Sequence, residues 1–365
     1  MKMKRWMLAW AICASCCACT PAGDGGDDGT AGGDADSDSD SDSDADGDSD
    51  IDDQDGDGFT IEQGDCDDYE PFVNPWAIED LGEDGEGDGV DNDCDGETDE
   101  HEPECDCTDL GATEQDLARA LHFCDERFIL SVSKDMTSTD GEVAFDTLYD
   151  QGTNDCIHAQ HGCEMAALST GPIGQANPNN ATGMGGMAEE SIDPLPEYQG
   201  DQPTSSTVQS CCDRSQLRLA LRAPTNAQGF SFDFLFASAE YDEWINMGFN
   251  DTFYAIMEHP GLNGGATTNI AFDDNDNEIE VDTNFFENEL YPCDESGSGW
   301  EPSIAGVSGS TGWLRTSWPV EPGSEFALTF SIHDEGDCIY DSIVFIDGFT
   351  WHTNEVDPGT DPIVE

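Results

Sequence analysis

The sequence predicts an all-β fold. It is an antiparallel, jelly-roll-like β-sandwich with one short helix at its start, preceded by a calcium-loop neck and a disordered acidic tether. Three observations predict it. Between residues 105 and 353 apolar side chains recur with period two: Leu217, Leu219, Leu221; then Phe230, Phe232, Phe234, Phe236; then Phe326, Leu328, Phe330, Ile332. Turns rich in Gly, Asn, Asp and Pro separate these short runs. Residues 20–100 hold 33 Asp+Glu and no Lys or Arg, so the core must form downstream, where nearly all the Phe, Leu and Trp lie.

The amino end, residues 1–18, reads as an export signal. Lys2, Lys4 and Arg5 precede an apolar stretch, Trp6 to Ala14, too short to span a bilayer. Cysteines follow at 13, 16, 17 and 19 among small residues. This resembles a bacterial lipoprotein signal, which implies lipidation of Cys19 after cleavage at Ala18-Cys19, with Ser15-Cys16 as the alternative junction. An ordinary secretory signal is the other reading. Both place the mature chain outside the cytoplasm, where thiols oxidise, and the lipoprotein reading makes it an outer-membrane or cell-surface lipoprotein facing outward. The whole chain has 82 Asp+Glu against 10 Lys+Arg, a formal net charge of −72. Such a balance excludes nucleic acid as a partner and charge-driven docking on anionic lipid, leaving the lipid anchor as the membrane contact.

Residues 19–52 form the tether. The run Asp34 to Asp50 alternates Asp with Ala, Ser or Gly, cannot bury apolar surface, and should be extended by its own charge. Residues 53–102 form the neck. Asp53, Asp55 and Asp57 with Gly58 occupy positions 1, 3, 5 and 6 of a calcium-loop pattern, and Phe59 offers its carbonyl at position 7. Position 12 is Gly64, so the closing carboxylate must come from nearby, from Asp65, Asp67 or Asp68. A second loop, Asp91, Asp93, Asp95 and Gly96, continues to Asp99 at position 9 and Glu102 at position 12. No amphipathic helix flanks either loop, so they are expected as isolated loops. The cofactor expected is Ca2+, because the stretch offers carboxylates rather than the imidazole and sulfur that copper prefers.

The segment running from DQDGDGFTIEQGDCDDYEP to GDGVDNDCDGETDE resembles the MopE-type metal-binding motif of bacterial surface proteins. That resemblance lacks a cysteine between Glu79 and Asp91, which leaves Cys66 and Cys94 as the natural pair.

Residues 105–353 form the sandwich. Thr113 to Asp116 has capping-box spacing and opens a helix with Leu117, Leu121 and Cys124 on one face. The strands follow, each expected to turn a Phe-lined face inward and the other to solvent; Ile343 to Ile346 is a further short strand. In order along the chain stand Leu168-Ser-Thr-Gly171, Phe232 to Tyr241, Phe249 to Phe253, Asn269-Ile-Ala271, Thr311 to Leu314 and Ile332 to Phe345. Together these resemble the choice-of-anchor L domain of secreted bacterial proteins, whose name implies attachment by varied devices. Ala239 departs from the pattern, where many members have Glu. Residues 354–365 are read as a polar tail.

Several polar constellations remain. Asp334, Asp337 and Asp341 surround a strand-to-strand turn that Glu240 and Asp251 could approach, as a second calcium site or as Asx turns. Cys156, His158, His161 and Cys163 have the spacing of a tetrahedral zinc set, or of a disulfide-closed loop, the reading favoured outside the cytoplasm. Cys293 and Cys338 are a further candidate pair. Trp244, Trp300, Trp313 and Trp318 are candidate contact residues, with core or hinge packing the favoured reading of each singly. Nucleotide-loop, zinc-protease and nucleophile-elbow motifs are absent from the sequence. The expectation is a non-enzymatic surface lipoprotein that binds an extracellular glycan or protein. An extracellular polysaccharide hydrolase and a metal-capturing surface protein are its alternatives.

Overall fold

The computed structural model describes residues 53–82, 85, 87–101, 105, 111–136, 145–149, 159–170, 211–238, 240–241, 245–247, 251–259, 266–273, 275, 277–286, 309–335 and 342–363. Residues 48–365 form one compact unit. In chain order it contains α1 (Glu114–Ala120) and the strands β1 (Ile129–Met136), β2 (Phe145–Tyr149), β3 (Glu164–Ser169), β4 (Cys211–Arg222), β5 (Gly229–Ser238) and β6 (Thr252–His259). There follow β7 (Ala266–Asn269), β8 (Ile279–Glu280), β9 (Gly309–Pro319), β10 (Glu325–Glu335), β11 (Ser342–His352) and β12 (Gly359–Pro362). Two six-stranded sheets result, ordered β1-β4-β10-β6-β7 with β8 on β6, and β12-β9-β5-β11-β3-β2. The strand pairs are antiparallel. From β3 to β6, and again from β9 to β11, consecutive strands change sheet, so the backbone partners are far apart in sequence. Among the described residues no helix is long and apolar enough to cross a membrane.

The alternating phenylalanines make the core. Phe230, Phe232, Phe234 and Phe236 of β5 face Leu217, Leu219 and Leu221 of β4 and Phe326, Phe330 and Ile332 of β10 in one buried cluster. Rings meet across the sheets: Phe232–Phe330 at 4.9 Å edge-on, Phe230–Phe326 at 5.4 Å stacked. Such pairs add directional preference to plain burial. The outer face departs from expectation: every residue of β5 is buried. Leu235 and Ala237 join Met165, Ala167 and Phe345 in a second apolar cluster outside the sheet, with Trp313 and Ile343 against it. Period two reports that one face is apolar; it is silent on what the chain later lays over the other.

Helix α1 forms where the capping pattern stands. Thr113 Oγ1 accepts from the Asp116 backbone N–H at 3.2 Å, and the Asp116 carboxylate accepts from the Thr113 N–H at 3.1 Å. The carboxyl end differs from a polar tail: Gly359–Pro362 pair with Leu314–Ser317 at the edge of the second sheet.

The acidic segment does not stand apart from the sandwich. The Ile78 N–H donates to Asn226 Oδ1 at 3.0 Å, and Asn226 Nδ2 returns a bond to the Ile78 carbonyl at 2.6 Å. The next contacts are Thr225 N–H to the Trp76 carbonyl and Thr225 Oγ1 to Asn74 Oδ1. Arg222 lies 4.7 Å over the Trp76 ring, and Trp76 meets Phe128 edge-on. Val73, Ala77 and Ile78 are buried here. Asn226→Ala should therefore release the segment while leaving the Phe core intact. Two buried backbone groups lose their partners, a cost of roughly 2–4 kcal/mol. Hydrogen exchange should show faster exchange over residues 73–80 with β5 and β10 protected as before; unchanged protection of residues 73–80 would contradict this docking.

Candidate metal centres

The two Asp loops fold alike. In the first, Asp53 Oδ2 accepts from Gly58 N–H at 3.0 Å, Asp55 Oδ1 from Asp57 N–H at 3.1 Å, and Asp57 Oδ1 from Phe59 N–H at 2.7 Å. In the second, Asp91 Oδ2 accepts from Gly96 N–H at 3.1 Å, Asp93 Oδ1 from Asp95 N–H at 3.1 Å, and Asp95 Oδ1 from Glu97 N–H at 2.8 Å. The same three bonds, from positions 1, 3 and 5, wrap each loop. Position 6 needs a left-handed backbone in both: Gly58 has φ 100° and Gly96 φ 101°. Position 4 is Gly56 at φ 84° in the first loop but Cys94 at φ 60° in the second. Cys94 tolerates that conformation where the bond to Cys66 ties the second loop to the first.

Both oxygens of Asp53 and of Asp57 accept hydrogen bonds, from Gly56, Gly58, Phe59 and Asn74, and Asp93 Oδ2 faces Arg127, so within the two runs the buried oxygens left open to a cation are Asp55 Oδ2 and Asp91 Oδ1. Ligand oxygens of Asp53, Asp55 and Asp57 lie within 4.8 Å of one another, and so do those of Asp91, Asp93 and Asp95. Asp55 Oδ2, Asp65 Oδ2, Asp91 Oδ1 and Glu100 Oε2 are buried with no hydrogen-bond partner among the described residues. A buried carboxylate oxygen without a donor is costly unless a cation takes it. The first loop turns through a short 3-10 turn, Ile61–Gln63, that Gly64 ends at φ 103°. That turn, and not a position-12 ligand, returns Asp65 and Asp68 to the loop, both buried. Burial raises the Asp65 pKa above 3.8, and Asp57, Asp55 and Asp68 push the same way.

In the second loop the position-9 residue is engaged with a neighbouring turn. The Asp99 carboxylate accepts from Gly89 N–H at 3.0 Å, so it braces the neighbouring turn. Glu102 lies outside the described residues. Glu100 instead groups with Asp93 and Glu79 within 4.8 Å. Glu79 is the organiser that the sequence did not reveal. Its carboxylate accepts from the backbone N–H of Asn92 at 2.7 Å, Asp93 at 3.2 Å and Asp99 at 2.7 Å. Burial nevertheless holds the Glu79 and Glu100 pKa values above 4.5. The one described base reaching the second loop is Arg127, whose Nη2 lies 3.1 Å from Asp93 Oδ2 and whose Nη1 donates to the Pro75 carbonyl.

The other sequence candidates are placed as follows. Glu240, Asp251 and Asp334 are buried, and Asp251 N–H lies 3.4 Å from Glu240 Oε2. The β10–β6 register ends with His333 opposite Thr252, which sets Asp334 beside Asp251. Asp337, Asp341, Cys16, Cys19, Cys156, His158, Cys293, Cys338, Trp244 and Trp300 lie outside the described residues. Cys163 is disulfide-bonded, so the zinc alternative lacks that thiolate. Cys105 and Cys124 form a bond that the spacing did not single out. Trp313 and Trp318 are half-buried against apolar clusters, the packing expected for each singly.

A polar group interrupts the outer face of the second sheet. Asp233, fully buried on β5, accepts from Arg315 Nε at 2.6 Å and Nη2 at 2.7 Å, and His161 Nε2 stands 3.5 Å away. Burial raises its pKa, but the Arg315 fork and His161 outweigh burial and hold it below 3.8. Asp347, also fully buried, accepts from the N–H groups of Gln160, His161 and Gly348. Those bonds offset burial only in part, and its pKa is pushed up to about 6.

Comparison with known proteins places this geometry. Residues 148–351 match the sequence profile of the choice-of-anchor L domain. No curated protein matches the chain. Among solved structures, the K2 cleaved adhesin domain of Lys-gingipain overlaps 60% of this chain and 87% of its own at 11% identity and TM-score 0.27. TmCBM61 in complex with β-1,4-galactotriose overlaps 66% of this chain and 97% of its own at 10% identity and TM-score 0.26. The enzymatically active domain of bacteriophage CBA120 tailspike protein 4 overlaps 65% of this chain and 21% of its own, at 11% identity and TM-score 0.22. At these scores no ligand site is transferable.

Asp347 gives a pH dependence with a definite sign. Its folded pKa of about 6 exceeds the ordinary 3.8, so the folded state holds the proton more tightly than the unfolded one. Its contribution is present below pH 3.8 and is lost as pH rises to about 6, a change of about 3 kcal/mol. Asp347→Asn should remove that fall from urea unfolding curves measured between pH 4 and about 7. An unaltered slope in the variant would contradict the assignment.

Proposed function

The chain belongs to the choice-of-anchor L family, and on that premise we propose that it is an exported, lipid-anchored surface protein that presents a calcium-locked β-sandwich for binding. The partner is an extracellular glycan or protein, and the role is adhesion rather than catalysis. One observation carries the calcium reading: two loops with the same three hydrogen bonds each leave buried carboxylate oxygens without a donor. The donors are all hard oxygens, the set that calcium takes and that zinc and copper do not favour. Asp53, Asp55, Asp57 and Asp65 would hold one ion, with Asp68 and the Phe59 carbonyl beside them. Asp91, Asp93, Asp95 and Glu100 would hold the second, with Glu79 fixing the backbone between.

In this reading the ion does mechanical work. It neutralises the loops, the loops fix Val73 to Ile78, and those residues stay seated on Asn226 and Thr225. An anchor at Cys19, or at Cys16, and the acidic run after it hold the module away from the membrane.

Loops of this kind bind calcium at roughly 10⁻⁴–10⁻³ M outside cells. Binding to the folded form alone stabilises by about 2.7 kcal/mol at a hundredfold excess over Kd. Calcium should therefore raise the Tm and protect residues 53–101 from protease, and a chelator should reverse both. Asp55→Ala and Asp93→Ala should each remove part of the gain. Equal cleavage of this segment in calcium and in chelator would leave it as a docked acidic strap without metal.

Anchoring is tested separately. Metabolic labelling with palmitate should mark the wild-type chain, and Cys19→Ser should abolish the label and release the protein. Label that persists in Cys19→Ser but is lost in Cys16→Ser would move the anchor to Cys16; no label on the wild type would exclude it.

A further inference from the structure

A cleft of about 710 Å³ opens where the acidic segment meets the sandwich. That volume lies inside the range of roughly 300–1,000 Å³ usual for small-ligand sites. The end of β11 and the stretch after it supply one continuous wall, from Phe349 to Val356, and the acidic segment supplies another with Glu79 and His101. Four of the chain's seven histidines, His101, His122, His161 and His352, border it. We propose that this cleft binds a short stretch of an uncharged glycan, with the Trp351 ring as the platform for one sugar and His352, Asn354 and Glu355 as partners for its hydroxyls. The inference rests on the surface-binding reading above and not on the calcium reading.

The aromatic wall is rigid. Phe326, Phe230, Phe349 and Phe123 form a continuous stack, with ring centres 5.4, 5.3 and 4.1 Å apart in turn. Trp351 stands across that stack, at 89° to Phe326, 79° to Phe230 and 83° to Phe349. Its ring is half-buried, gripped by the core while it borders the cleft. An indole already held by packing loses little side-chain freedom when a ligand lies on it. A sugar ring offers what such a wall takes: a face of C–H groups for the aromatic ring and a rim of hydroxyls for polar neighbours.

The polar rim is preset too. Gln228 N–H donates to the His352 carbonyl at 2.7 Å, Gln228 Nε2 to the Thr353 carbonyl at 2.5 Å, and Thr353 Oγ1 to Asp80 Oδ1 at 2.8 Å. These bonds fix the backbone that carries Asn354 and Glu355, both exposed. Ser231 Oγ lies 2.8 Å from His352 Nε2, and burial, with the Arg315 charge, holds the pKa of this ring below 6.5. The neutral ring keeps Nδ1 for a hydroxyl, which can donate or accept and so suits either tautomer. The charge of the ligand follows from the lining. Three of the chain's ten Lys and Arg lie in the first five residues, and none of the other seven lines the cleft, so a uronate or a sulfated sugar finds no counter-charge. Asp125 is held by Arg127, and Glu79 by three backbone N–H groups. Glu355 is then the one open carboxylate of the three, too little to select an amino sugar. An uncharged, hydroxyl-rich ligand fits what remains.

The test applies the full chain, in millimolar calcium, to an array of neutral gluco-, galacto- and manno-oligosaccharides beside uronate-bearing and sulfated ones, with calorimetry on the probes retained. At least one neutral oligosaccharide should bind, and the uronate-bearing and sulfated probes should not. Trp351→Ala should weaken that binding about tenfold or more. Asn354→Ala and Glu355→Gln, at exposed positions, should each weaken it about threefold or more. Tyr69→Ala, at an exposed aromatic outside the cleft, should leave it unchanged. If Trp351→Ala fails to fold, the two exposed variants decide. Binding confined to charged probes would overturn the proposal. Neutral binding that no cleft variant weakens would also overturn it, while keeping the surface-binding reading. Retention of no probe would overturn both the site and the glycan form of that reading, leaving a protein partner.

Discussion

Repulsion between carboxylates is the constraint on which this structure turns. Within each Asp loop three ligand oxygens lie within 4.8 Å of one another. At an effective dielectric near 20, two unit charges at that distance repel by about 3–4 kcal/mol, and three pairs act in each loop. Backbone N–H groups of Asp57, Phe59, Asp95 and Glu97 soften this but carry no charge. Arg127 brings one positive charge to the second loop and none of the described bases reaches the first. The folded segment therefore lacks roughly the charge that one divalent ion per loop supplies.

That balance bears on the whole domain because the segment is not a separate neck. Ile78 and Asn226 exchange two hydrogen bonds across 148 residues of sequence, and Thr353 Oγ1 reaches Asp80 from the far end of β11. The cleft with the histidines exists only where these two parts meet. Its acidic wall carries Glu79, so the order of the second loop and the shape of the cleft depend on one carboxylate.

Much of this was legible in the residues. Alternation of Phe230 to Phe236 and of Phe326 to Ile332 places two strands of facing sheets with their core sides correctly turned, because a strand must point alternate side chains to one side. The Asp-x-Asp-x-Asp-Gly spacing locates both loops, since the backbone bonds that wrap them are local. The closing ligands were not legible. Asp99 turns its carboxylate toward Gly89 while Glu79, distant in sequence, takes its backbone N–H, and Glu100 is the acid grouped with Asp93 and Glu79. Burial of Ser231, Asp233 and Leu235 was hidden as well, because their partners, His352, Arg315 with His161, and Met165 with Phe345, are distant in sequence. Asn226 carries no pattern of its own; it gains its role from what the fold brings to it.

The central claim is that divalent cations hold the two loops and thereby the segment on the sandwich. The most direct measurement is anomalous diffraction from crystals grown in calcium or soaked in terbium. Two peaks are expected, one bounded by oxygens of Asp53, Asp55, Asp57 and Asp65, the other by those of Asp91, Asp93, Asp95 and Glu100, at about 2.3–2.6 Å for calcium. Loops that keep the same hydrogen bonds with no peak in either, at millimolar ion, would contradict the account.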